Sequence, residues 1–193
     1  MKIVQAGTPV LRRRTSELTP EQIRSSEIQD LIEFMRETMR DAPGVGLAAP
    51  QVGLGLRLAV IEDPIEYHLD LSPTELGERG RKAVPFHVII NPTLKLSDAH
   101  VSFFEGCLSL AGLVAVVPRA ISVEVSCLDH RGEARTIQAS GWYARILQHE
   151  IDHLDGTLYV DRLIPQTLMT VDAHKRFWRD TPVAQVLEQT GSI

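Results

Sequence analysis

The sequence predicts an α+β fold: short, mostly antiparallel strands packed around one central buried helix, with an amphipathic helix near the N-terminus. Three observations carry this prediction. Two segments, about 27–40 and about 140–154, hold apolar residues at helical spacing. Between them lie several short Val- and Ile-rich runs, one with strict two-residue alternation. The order helix, many strands, helix argues against a doubly wound sheet, in which strands and helices alternate. With 193 residues, 44% of them hydrophobic, residues 1–193 suffice for one domain with a real core, 165–193 forming a C-terminal tail.

The first helix is expected from Glu27 to Arg40, where Ile28, Leu31, Ile32, Met35 and Met39 make one apolar face. Ser26 with Gln29 reads as a capping box, and Pro43-Gly44 as the stop. GVGLAAPQVG (44–53) is a Gly/Ala-rich loop, and Leu56–Ile61 a strand. Residues 63–85, with three prolines and two glycines, read as a polar surface insertion containing at most a short helical turn. Further strands are expected at His87–Ile90, Leu94–Leu96, Val101–Phe104, Val114–Val117, Ile121–Leu128 and Arg135–Ala139, with a turn at Asp129–Gly132. In Ile121–Leu128, Val123, Val125 and Cys127 alternate with Glu124 and Ser126, the period of a half-buried strand. The second helix starts near Ser140-Gly141 and ends near Leu154, with Gly156 as its stop. Its apolar residues occupy most faces, which marks it as buried. The tail after Pro165 reads as partly helical.

Net charge is 20 minus 25, or −5, which argues against a broad nucleic-acid-binding surface. Arg12, Arg13 and Arg14 read as a solvated loop. The N-terminus has neither a signal-peptide core nor a transit-peptide composition, and no apolar run approaches a membrane span. A soluble protein of the cytoplasm is the resulting expectation, and two cysteines fit a reducing compartment.

Chemistry concentrates in QHEIDHLDG (148–156). His149 and His153 stand four apart, so on a helix both imidazoles reach one metal ion, and Glu150 lies beside them as a general base for a bound water. His, Glu, Asp and His on a buried helix are costly without partners. A third ligand is needed. The position that would carry a distal histidine holds Tyr159, and the sole glutamate after Glu150 is Glu188 in the tail. Cys127 reads as an ordinary core cysteine. Cys107, in FFEGCLSL, follows a strand and a glycine and completes a thiolate–imidazole set suited to zinc or ferrous iron, with one position left for water.

Three segments, GVGLAAPQ (44–51), EGCLS (105–109) and QHEIDH (148–153), together with IVQAGTPVLR near the start, resemble the signature motifs of peptide deformylases in the family's order. The long stretch before Asn91-Pro92 and the SGW before the second helix look like the mitochondrial and plant-type branch. The resemblance implies removal of the formyl group from N-formylmethionine on nascent polypeptides, with a transient ribosome contact as a further implication. It implies Cys107, His149 and His153 as metal ligands and Glu150 as general acid/base. It implies Gln51 and the backbone N–H of Leu108 as oxyanion donors, and Val45, Gly46 and Gly106 as substrate-lining positions. Family members use Fe²⁺ natively, and several accept zinc, nickel or cobalt. One position departs from the pattern: many members have arginine seven residues after the ligand cysteine, where this chain has Val114. A zincin-type endopeptidase and a catalytically silent binding module are the competing readings. The first needs a ligand after His153, and the second has no use for an intact set of Gln51, Cys107, Glu150 and both histidines.

Overall fold

In the computed structural model, which describes residues 1–42, 44–69, 71 and 73–192, the helices are α1 (Pro20–Ile23), α2 (Ser26–Asp41), α3 (Pro73–Arg79), α4 (Gly141–Leu154), α5 (Val171–Ala173) and α6 (Val183–Gln189). The strands are β1 (Gly46–Ala48), β2 (Leu58–Asp63), β3 (Val84–Leu96), β4 (His100–Cys107), β5 (Leu110–Ala120), β6 (Ser122–Leu128), β7 (Ala134–Ser140) and β8 (Met169–Thr170). They form two antiparallel sheets, β1-β2-β3-β6-β7 and β4-β5-β8. The α+β expectation stands.

The larger sheet is buried on both faces at β1, β2 and the adjoining part of β3, whereas β6 and β7 expose one face. Leu58 and Val60 of β2, with Val88 and Ile90 of β3, pack with Met35 and Met39 of α2. Ala59, Ile61 and Ile89 point the other way and pack with Leu147, Ile151 and Leu154 of α4. That is why β2 reads as a continuous apolar run rather than an alternating one. Helix α4 therefore lies with one side on the large sheet, and its other side faces β4 and β5, where Arg145 bonds Val117 O and Gln148 bonds Ala120.

Several boundaries need correction. Two expected short strands, His87–Ile90 and Leu94–Leu96, are one strand of 13 residues. Asn91-Pro92 reads as a break in sequence, but the chain bulges there and continues: the register shifts between Ile90 and Thr93, and Asn91 takes φ 49°. The Asn91 side chain accepts from Leu18 N and donates to Leu18 O, while Pro92 O accepts from Arg57, so the bulge has tertiary anchors. Strands β4 and β5 are longer than expected and pair from His100↔Ala120 to Cys107↔Leu110. Helix α2 is capped by Ser25, whose hydroxyl accepts from Ile28 N, and not by a Ser26–Gln29 box. Gln29 instead donates to Ile23 O and His130 O. Pro43, expected as part of the helix stop, lies outside the described residues.

The insertion contains the seven-residue α3, and an ion pair joins the residue that opens it to one just after α3. Arg81 forms a two-point ion pair with the fully buried Asp63. Gly141, at φ +61°, opens α4 against α3: a Cβ there would lie 2.7 Å from Arg79 O. Among the described residues, no helix is long and apolar enough to cross a membrane.

Candidate metal and substrate site

A cavity of about 460 Å³ opens between the Gly/Ala loop, the end of β4 and the start of α4. Eight of the nine residues singled out in the sequence line it: Val45, Gly46, Gln51, Gly106, Cys107, Leu108, His149 and Glu150. The ninth, His153, sits just behind, its Nε2 3.2 Å from Cys107 Sγ. Ligand atoms of Cys107, His149 and His153 all lie within 4.8 Å of one another. A thiolate and two imidazoles so close are a donor set of the right softness and number for a four-coordinate metal with one open position. The chain can thus hold a metal ion at this point.

The surroundings explain how the ligands are held. Glu105, buried on β4, accepts from His149 Nδ1 at 3.1 Å, from Arg119 Nε and Nη2 at 3.0 Å, and from Arg145. Fixing the Nδ1 proton leaves Nε2 of His149 as the free donor atom. Arg119 also pairs with Asp152, and Arg162 grips Asp152 through two bonds of 2.7 Å. Burial opposes ionisation of Glu105, but the bonds from His149 and Arg119 overcome it and hold the carboxyl well below its ordinary range. Burial drives His153 the other way, and with the nearby His149 it keeps that imidazole neutral, as a ligand must be.

Glu150 differs from Glu105. Burial pushes its carboxyl up to about 7, and Oε2 is buried without a hydrogen-bond partner among the described residues. A Cβ on Gly46 would lie 2.6 Å from the Glu150 carboxyl carbon, so the glycine is what lets this carboxylate enter the cavity. Gln51 is fixed through Oε1, which accepts from Ala48 N at 2.8 Å, leaving Nε2 3.6 Å from Cys107 Sγ. Ser109 N also donates toward that sulfur at 3.4 Å.

The other candidates for a third ligand fall away. Tyr159 stacks on His149 with ring centroids 6.3 Å apart, and its hydroxyl donates to Leu113 O. Glu188 is exposed on α6. Sequence reading missed Arg119, Arg145 and Arg162 as partners of the site. The available signal was charge out of place: Arg145 and Asp152 in a helix whose apolar residues mark it as buried, and Arg119 near the end of the apolar run of β5. With valine at position 114, the cations that serve Glu105 are Arg119 and Arg145.

Fold and site together define an α+β protein with a Cys–His–His metal-binding triad on and beside a central helix. The model of the polypeptide deformylase family matches residues 1–168, and the chain belongs to that family. It is 51% identical over 171 residues to "Peptide deformylase 1A, chloroplastic" of Solanum lycopersicum, covering 88% of this chain and 62% of that protein. It is 39% identical over 170 residues to "Peptide deformylase, mitochondrial" of Homo sapiens, covering 88% and 70%. The crystal structure of peptide deformylase from Ehrlichia chaffeensis superposes with a TM-score of 0.71 at 36% identity, covering 84% of this chain and 87% of that one. The chain spans less than two thirds of the tomato relative and of its Arabidopsis thaliana counterpart, 62% and 64% of their lengths.

Proposed function

We propose that this chain removes the formyl group from the N-terminal formylmethionine of newly synthesised polypeptides and releases formate. Residues 1–193 act as one catalytic domain in this reading. The observation that carries it is the convergence of Cys107, His149 and His153 on one cavity with Glu150, whose buried Oε2 has no hydrogen-bond partner among the described residues, in a chain of the deformylase family.

Cys107, His149 and His153 hold one divalent metal. Fe²⁺ is the native ion in this reading, and Zn²⁺, Ni²⁺ or Co²⁺ suit the same donors. When bound, the metal supplies Lewis acidity toward the attacking water and the formyl oxygen. Glu150 takes the proton from that water and returns it to the departing amine nitrogen. A carboxyl pushed up to about 7 by burial is suited to both transfers near neutral pH. Gln51 Nε2 and the Leu108 N–H donate to the formyl oxygen as its charge grows, and losing one such donor costs about 10²–10³ in rate. Val45, Gly46 and Gly106 flank the formylated end, where small residues let the backbone approach a slim substrate. Glu105, with Arg119 and Arg145 behind it, keeps His149 oriented.

The partners of this reading are N-formylmethionyl nascent peptides and, transiently, the ribosome they leave; it involves no direct nucleic-acid binding. Its setting is the cytoplasm, as the sequence suggests, whereas the tomato and human relatives are named as chloroplastic and mitochondrial proteins. The test is formate release from a formyl-Met peptide by anaerobically purified protein, alongside Cys107→Ala. Metal and formate release should both be lost in the variant. A variant that keeps its metal and cleaves internal peptide bonds would favour the endopeptidase reading instead.

A further inference from the structure

The family match ends at residue 168, yet the chain beyond it returns to the cavity. Strand β8 adds to the free side of β5, with Met169 opposite Val114 and Thr170 opposite Leu113. Val114 in turn faces Gly106 of β4, next to Cys107. Val171 follows directly and lines the cavity together with Phe104, Leu113 and Val114. Its position is fixed from both sides. The Thr170 hydroxyl accepts from Ala173 N at 3.1 Å, and the His174 ring meets the Phe104 ring edge-on with centroids 4.4 Å apart.

This end of the cavity is apolar, in contrast to the end holding Cys107, His149 and Glu150. Crossing from β4 to β8 takes two strand spacings, about 10 Å, and an extended peptide covers that distance in about three residues. Building on the deformylase reading, we infer that Val171, with Leu113 and Val114, forms an apolar subsite for the side chain of the third residue of the formylated peptide. The segment after the family match thus selects among substrates without touching the reacting atoms.

The experiment uses the full chain and compares KM for formyl-Met-Ala-Leu with KM for formyl-Met-Ala-Ser, in wild type, Val171→Ala and Val171→Asp. Wild type should favour the leucine peptide by about tenfold, the scale of a filled apolar pocket. Val171→Ala should reduce the ratio, and Val171→Asp should bring it to about one, with the change on KM rather than kcat, as expected for lost uniform binding. A wild-type ratio near one, or a ratio that Val171→Asp leaves intact, overturns the inference. Calorimetric binding of the product peptides Met-Ala-Leu and Met-Ala-Ser makes the same comparison without turnover. Absence of formate release would therefore sink the deformylase reading alone, while the binding ratio decides the subsite.

Discussion

The two sides of α4 are made of opposite materials. Toward the large sheet it presents Ala144, Leu147, Ile151 and Leu154, packed against Ala59, Ile61 and Ile89 with no polar atom among their side chains. Toward β4 and β5 it presents Arg145, Gln148, His149 and Asp152, each with named partners at hydrogen-bond distance. The apolar side stabilises by area and tolerates adjustment. The charged side is directional: charges taken out of water are costly unless fully partnered, and here the partnering ends on a metal-ligating histidine. One side of the helix anchors it, and the other positions its chemistry.

Breaking the charged side should have the largest effect. Glu105→Ala leaves Arg119 and Arg145 buried without their shared carboxylate, and removal of one partner from a buried pair costs about 3–5 kcal/mol. Urea unfolding should show that loss, together with weakened metal retention as His149 loses its Nδ1 acceptor. On the apolar side, Leu147→Ala should cost about 2–5 kcal/mol by cavity formation. Metal content per folded chain should stay unchanged, and a drop there would erase the distinction between the two sides. Gly46→Ala sharpens the comparison from outside the helix, because the added methyl would displace the Glu150 carboxylate. Formate turnover should fall by about 10²-fold, the scale of a misplaced catalytic group, with little change in melting temperature. The smallest effect is expected at an exposed pair: Lys95→Ala removes a contact to Glu124 and should cost no more than about 1 kcal/mol in thermal unfolding.

These contrasts also mark what a sequence reader could and could not see. The apolar side of α4 and the α2 face are periodic patterns and were legible, as were His149, His153 and Cys107 through ligand chemistry and spacing. The arginines that hold Glu105 and Asp152 were not, because they come from β5, from α4 itself and from the segment after it, and only the fold unites them. Strand β3 looks like two strands in sequence because Asn91-Pro92 has the local signature of a turn; the bonds from Asn91 to Leu18, 73 residues away, override that preference. The tail shows only a partly helical pattern in sequence, since two residues of strand carry no periodicity and β8 exists by pairing with β5.

The central claim is that the polar side of α4 carries a metal site in which Glu150 moves the proton. Formate release from a formyl-Met peptide by wild type and Glu150→Gln, with metal per chain measured on the same samples, tests it most directly. The expected result is close to one metal in both proteins and a rate lower by about 10²–10⁴ in the variant. Equal rates in the two, with metal bound, would contradict it.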